Sequence, residues 1–406
     1  MGTKQQIATE VAGLVSELRP TMPVLDAFCG MCSVAGAVAP SGRAVWGNDV
    51  QRYAVHVATC LLATVTGPPH ATGTTTLLRS TADRNADKLR SRFASAVAAE
   101  QTVLDEPTVD AYQAAYGRWR HAANDAALAA EVAELRSHRR RVPYRLATLT
   151  FAWGYFGLAQ AIAIDSLRYA IERHRSAGDL SDDDRRWALL ALLQAASRLA
   201  TGPGHTAQYL AANTSRSLDR VIRQRRRDLH RQFEIELGLL SPYGTSDWRA
   251  GNQVLHRDAT EIWPELRRRG FRDAVVYADP PYSKNQYSRF YHVLETLHRY
   301  DYPAAQHGGR YRPDRFSTGF SSRARVASAF ERLCAGAASI NCALVLSYPS
   351  NGLLIRYGKG QVAAVLSRHF GSVQLAMRRP IVQSTLGAGH GARNTHVDEL
   401  VFVCKP

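Results

Sequence analysis

Short apolar runs punctuated by polar turns occupy both ends of the chain, and helical periodicity fills its middle. Val24-Leu25-Asp26-Ala27-Phe28 predicts a short buried strand, Cys29-Gly30-Met31-Cys32-Ser33 a turn of small residues, and Val34 to Val38 the start of a helix. Ala44-Val45-Trp46-Gly47 predicts a second strand, ending at Asn48-Asp49. Strand, small-residue loop, helix, strand and acidic residue in that order predict the opening of a doubly wound α/β unit. Such units bind ligands at the carboxyl ends of their strands.

From about Leu61 to Leu240 the pattern turns Ala-, Arg- and Leu-rich, with few strand-like runs. Ser181 followed by Asp182-Asp183-Asp184 is an N-cap with an acidic first turn, which launches a helix through Trp187 to Leu199 that stops at Thr201-Gly202-Pro203-Gly204. Strand patterns return at Gln253 to Leu255, Ala274 to Ala278, Cys342 to Ser347, Ser372 to Ala376 and Glu399 to Val403. The expected fold class is α/β: one domain over residues 1–60 and 245–406, split by a mostly helical insertion over residues 61–244.

Composition adds a partner class. The 406 residues are 45% hydrophobic and 21% charged, as in a chain with a full-sized core. Lys and Arg total 51 against 35 Asp and Glu, and a net charge of +16 favours a polyanionic partner. No apolar run reaches the roughly 18 residues of a membrane helix, and the N-terminus lacks a signal peptide's apolar core. A cytoplasmic chain without a membrane partner is expected. Cys29 and Cys32 form a CxxC, but no second close pair completes a zinc set, so they read as small residues of a tight turn and no metal is expected. His292 is expected on a helix surface, and the Trp153 to Phe156 aromatics in a core.

Asp279-Pro280-Pro281-Tyr282, directly after the Ala274–Ala278 run, is the most specific signal. Two consecutive prolines remove two backbone donors and hold the turn extended, leaving its carbonyls free to accept hydrogen bonds. A carboxylate, a fixed carbonyl and an aromatic face at a strand end suit a flat, amino-bearing heterocycle: Asp279 and the Pro280 carbonyl accept its N–H groups while Tyr282 stacks on the ring. The small-residue loop and Asp49, 19 residues after Gly30, suit a nucleotide-like ligand whose ribose diol needs an acidic partner.

With these elements in place the sequence resembles the DNA adenine methylases of the Dam-like group. The resemblance rests on VLDAFCGMCSVAGAVA, VWGNDVQRYA, VVYADPPYSKNQYSRFYHVLETL, LVLSYPSNG and VDELVFVCK, with Gly2-Thr3-Lys4 similar to a shortened form of the group's N-terminal motif. It implies a Rossmann-like, S-adenosylmethionine-dependent methyltransferase sheet. It further implies that Lys4, Asp26, Phe28 and Gly30 lie at the methionine end of S-adenosylmethionine, Asp49 at its ribose and Asp258 near its adenine. Asp279, Pro280, Pro281 and Tyr282 would hold the target adenine. The group's second loop glycine is Cys32 here, a residue that adopts positive φ poorly.

The implied activity is site-specific methyl transfer to the exocyclic amine of adenine in double-stranded DNA, within restriction-modification or phage defence, with any restriction nuclease on a separate chain. Transfer to cytosine's exocyclic amine, to adenine in RNA, or a catalytically silent DNA-binding relative are the alternatives. For DNA contacts the sequence offers the helix-like SRSLDRVIRQRRRDLHR with seven arginines, including Arg223 and Arg226, and the Arg139-Arg140-Arg141 cluster. It also offers Arg310, Arg312 and Arg315, interleaved with aromatics just beyond DPPY. The catalytic parts outside residues 61–244 hold the larger share of the surplus, +10 against +6.

Overall fold

The apolar runs pair into one seven-stranded sheet in the computed structural model, which describes residues 3–120, 124–202, 205–357, 362–383 and 395–406. Its strands are β1 (Val24–Asp26), β2 (Val45–Asp49), β3 (Gln253–His256), β4 (Val275–Ala278), β5 (Ala343–Pro349), β6 (Ser372–Gln383) and β7 (Thr395–Lys405). They lie in the order β3-β2-β1-β4-β5-β7-β6. The first five strands are parallel, and β7 enters antiparallel between β5 and β6. Every one of the predicted strands forms. Parallel strands covered on both faces need continuous apolar runs rather than alternation, and β4 and β5 are buried along their whole length.

The chain divides into two compact units. The sheet unit comprises residues 1–66, 242–288 and 316–406. Its core packs Trp46 against Phe271 at 5.0 Å and Phe330 edge-on to Phe320 and Tyr348, among the buried aliphatics of β4, β5 and the helix Val326–Ser339. A mixed seven-stranded sheet of this order is the α/β, Rossmann-like architecture that the motifs imply.

The second unit comprises residues 67–241 and 289–315, and its described regular elements are helices. Its longest are Ala71–Arg92, Leu158–Ala177 and Asp182–Leu199. The last starts as predicted: the Ser181 hydroxyl accepts from the Asp184 N–H, and the Asp184 carboxylate returns to the Ser181 N–H. Buried Asp165 organises another start, accepting from the N–H groups of Ala147 and Thr148 at 2.8 Å each and from the Tyr300 hydroxyl at 2.5 Å. Trp153 to Phe156 are buried here.

One boundary differs from the expectation. Residues 289–315, expected in the catalytic domain, pack with the helices, because Tyr300, Tyr302, Asp301 and Arg312 are buried and bind partners in this unit. Divided along the compact units, Lys and Arg exceed Asp and Glu by 21 to 13 in the sheet unit and by 30 to 22 in the helical one. The surplus is therefore +8 in each, not concentrated in the catalytic parts.

Candidate active site

The sheet's register gathers the acidic residues. Asp26 of β1 stands beside Gly47 of β2 and Tyr277 of β4, so Asp49 and Asp279, each two residues further on, emerge at the same edge as Asp26. This is where the strand order reverses about β1, the place where open α/β sheets bind ligands.

Three carboxylates so placed carry a cost. Burial pushes Asp26 up to about 7, opposed by the Phe28 N–H and reinforced by the charges of Asp279 and Asp49. Burial likewise raises Asp49 to about 6, against the N–H groups of Gln51 and Gly30, which reach it at 2.9 and 3.1 Å. Asp279 also rises to about 6: burial and the charge of Glu399 push it up, and Lys4 pulls it down. An edge that holds three carboxylates in this condition is built for a ligand bearing N–H or O–H donors and positive charge.

The loop after β1 brings its backbone to the same edge. Gly30 has φ +47°, and Cys32 at φ +63° begins the helix Ser33–Ala37 in the left-handed region. The Cys32 N–H closes this turn on the Cys29 carbonyl at 2.6 Å, and its side chain is fully buried. Cysteine thus takes the conformation for which glycine is the easier residue, at roughly 1 kcal/mol of backbone strain. All six cysteines are buried, and none is in a disulfide. Gly36 packs against the Tyr243 ring: a Cβ there would lie 2.4 Å from it, so a larger residue would have to displace the ring.

Phe28 is partly buried and meets Phe320 edge-on at 5.5 Å. Asp258, after β3, turns inward on its own loop, accepting from the Thr260 N–H at 2.8 Å and hydroxyl at 2.9 Å. Pro280 is buried, and Pro281 and Tyr282 are half-buried. The Tyr282 ring stands edge-on to Tyr287 at 6.3 Å, and its carbonyl accepts from the Leu353 N–H, so the turn is held from the following strand's loop.

Lys4 is expected as a cofactor contact, and its ammonium is occupied otherwise. It pairs with Asp279 at 3.1 Å, with Glu399, and with the Ser347 hydroxyl at 2.7 Å, which accounts for three donors. Gly2 lies outside the described residues. Glu399 and Ser347 are not singled out by the motifs. A signal is nonetheless present: Glu399 sits between Val397 and Val401 on the buried face of β7, a charge where the alternation demands an apolar residue.

The arginines beyond DPPY are corrected by burial. Arg310 is 1% exposed, with its Nη1 donating to the Ala152 carbonyl at 2.8 Å and its guanidinium over the Tyr209 ring. Arg312 is 3% exposed and grips Asp301 through two bonds of 2.6 and 2.8 Å. Neither guanidinium is presented to solvent. Arg315 is partly buried over the Tyr311 ring at 4.5 Å. Arg223 and Arg226 are exposed on or just after the helix Ser215–Arg225. His292 is not on a surface but 1% exposed, held by the Tyr155 hydroxyl and the Thr206 carbonyl, and burial lowers it to about 3. Among the described residues no three His, Cys, Asp or Glu gather as metal ligands, and no helix is long and apolar enough to cross a membrane.

Residues 265–315, which include β4 and DPPY, match the D12 class N6 adenine-specific DNA methyltransferase family. The chain is 26% identical over 257 residues to the Type II methyltransferase M.NlaIII of Neisseria lactamica, covering 61% of this chain and 68% of that protein. It is 26% identical over 179 residues to the modification methylase LlaI of Lactococcus lactis subsp. lactis, covering 44% of this chain. It is 25% identical over 216 residues to the Type II methyltransferase M.FokI of Planomicrobium okeanokoites, covering 53% of this chain. The matches span only 26% and 29% of LlaI and M.FokI. No solved structure matches. Family and relatives together bear out the resemblance to adenine-specific DNA methyltransferases.

Proposed function

We propose that this chain transfers a methyl group from S-adenosylmethionine to the exocyclic amine of adenine in double-stranded DNA, as the modification arm of a restriction-modification or defence system. The observation that carries this reading is the convergence of Asp26, Asp49 and Asp279 at the sheet's switch point, each raised by burial, with Pro280 and Tyr282 beside the last.

The donor set fits S-adenosylmethionine. Its ammonium, ribose hydroxyls and adenine amine are donors, and its sulfonium is a cation, which is the complement that three raised carboxylates require. Asp26 and the loop through Gly30 would hold the methionine end, Asp49 the ribose and Asp258 the adenine. When bound, S-adenosylmethionine supplies an electrophilic methyl group. The chain's own part is to prepare the base. Adenine's amino lone pair is delocalised into the ring, and hydrogen bonds accepted by the Asp279 carboxylate and the Pro280 carbonyl favour a nitrogen whose lone pair is free to attack. Tyr282 offers a stacking face that offsets part of the few kcal/mol spent in extruding the base. No covalent enzyme intermediate is needed.

The test is incorporation of labelled methyl from S-adenosylmethionine into duplex DNA by the full chain, followed by mass spectrometry of the nucleosides. N6-methyladenine is expected. N4-methylcytosine, or label only in RNA, would overturn the base or the substrate, and binding of DNA without incorporation would leave a silent relative.

For phosphate contacts the exposed clusters of the helical unit replace Arg310 and Arg312. Besides Arg223 and Arg226, residues 136–141 line an open hollow of about 590 Å³ after the helix Ala126–Ser137. Arg141 there pairs with Glu134, whereas Arg139 and Arg140 are exposed and in no ion pair among the described residues. Replacing both by Ala should weaken DNA binding at low salt and lower the slope of log K against log salt by about 2, near 0.9 for each phosphate no longer neutralised. A fluorescence anisotropy series in increasing salt measures this, and an unchanged slope removes the loop from the DNA-binding surface.

A further inference from the structure

Glu399 is the least expected group in the sheet unit. It is 1% exposed on β7, opposite Pro349 of β5, flanked on that face by Val397, Val401 and Val403. Its Oε1 accepts from the Ser347 hydroxyl at 2.5 Å and from the Lys4 ammonium. Ser347 in turn accepts from Lys4 at 2.7 Å, so its one hydroxyl proton is committed to Glu399 and the three groups close a ring. The third Lys4 donor faces Asp279 at 3.1 Å. Two carboxylates, the buried Glu399 and the partly buried Asp279, thus share one ammonium.

This division has a consequence for Asp279. A lysine paired with Asp279 alone would sit against it as a full counter-ion, occupying a lone pair and weakening the carboxylate as an acceptor. A second carboxylate behind the lysine draws the ammonium back. We propose that Glu399, seated by Ser347, is a positioning residue that holds Lys4 off full pairing with Asp279 and thereby keeps Asp279 a strong acceptor for the reacting amine. The inference rests on the methyl-transfer reading for its catalytic meaning, while the charge arrangement itself is independent of it.

The other titratable groups around Asp279 do not supply this control. Asp26 approaches from β1 with a charge of the same sign, and Lys4 and Glu399 come from the N-terminal turn and β7. The phenols of Tyr277 and Tyr282 stay neutral, since burial and the nearby carboxylates push both upward. Among the described residues only Lys4 opposes the ionised carboxylates, and only Glu399 competes with Asp279 for it.

The experiment uses the full chain with Glu399→Gln, which keeps shape and removes the competing charge, and Glu399→Asp, which keeps the charge but withdraws it by one methylene. Lys4 should then settle on Asp279. In Glu399→Gln, kcat is expected to fall about tenfold with KM for S-adenosylmethionine within about twofold, and the acid limb of the pH–rate profile to move to lower pH. Glu399→Asp should lie between wild type and Gln. In parallel, a carbon-detected NMR titration of Asp279 in the free protein should show its midpoint shifted down in Glu399→Gln. A purely structural Glu399 would lower thermal stability and leave both the acid limb and the Asp279 midpoint in place, which overturns the proposal. Should Gln prevent folding, the Asp variant decides by the same two readouts. A wild-type chain that transfers no methyl group sinks the methyl-transfer reading, and the NMR arm still decides the positioning of Lys4.

Discussion

Asp279→Ala is expected to lower methyl transfer to DNA by about 10³-fold or more, while the affinities for duplex DNA and for S-adenosylmethionine change by less than about threefold. The size follows from where the carboxylate acts. Its acceptance of a hydrogen bond strengthens as positive charge develops on the attacking nitrogen, so the interaction is worth most in the transition state and contributes little to ground-state binding. DNA affinity is set mainly by phosphate contacts, and Asp279 bears none of that charge. The fold should tolerate the change, because Lys4 keeps Glu399 and Ser347 as partners. The linkage points the same way. Asp279 stands at about 6 in the folded chain, above an unfolded carboxylate near 4, so the folded state binds the extra proton and stability declines as pH rises through about 4 to 6. At pH 7.5 the ionised carboxylate is a burden that Ala removes, and Tm should be unchanged or higher. A single-turnover assay with labelled cofactor, run beside anisotropy and calorimetry, measures all three. Activity within tenfold of wild type would remove Asp279 from the chemistry.

The sheet was legible because parallel strands announce themselves. Val275-Val276-Tyr277-Ala278 and Ala343 to Ser347 are runs that only a doubly covered strand can bury, and the acidic or proline residues that follow mark their ends. The carboxylates of the site were legible for the same reason: each terminates a strand whose identity was clear. The arginines were not. Arg310-Tyr311-Arg312 has the composition of a phosphate-binding loop, and nothing local reveals that Asp301, 11 residues earlier, returns to meet Arg312. Burial of a long basic side chain depends on a partner brought by the fold, so charge clusters read from sequence are the least secure of its signals. Lys4 shows the converse. Its place beside the site is implied by motif, but its partners come from residues 347 and 399, brought to it by the antiparallel insertion of β7 next to β5.

Arg312→Ala should unfold the helical unit more readily by about 3 kcal/mol or more and leave the salt dependence of DNA binding unaltered. The guanidinium is 3% exposed, bonded through Nη1 and Nη2 to Asp301 and through Nε to Asp314 at 3.1 Å. Removing it strands a carboxylate that is itself 8% exposed and, among the described residues, keeps only Arg299, at 2.8 Å, as a cationic partner. The cost is chiefly that of an undercompensated buried charge, which exceeds the net worth of the intact pair. Its pH signature is distinctive. Burial alone would raise Asp301, but the Arg312 hydrogen bonds hold it below the ordinary carboxylate range. A depressed folded value stabilises above the unfolded one, near 4, and that stability is lost as pH falls through the folded value. Wild type should therefore lose stability on acidification through this pair, and Arg312→Ala should have lost most of it already at neutral pH, narrowing the difference between them below pH 4. Arg223→Ala, which removes an exposed arginine, serves as the control, expected within about 0.5 kcal/mol of wild type. If Arg312→Ala instead leaves the denaturation midpoint in place and flattens the salt slope, the arginine faces phosphate in solution and its pairing with Asp301 gives way when DNA binds.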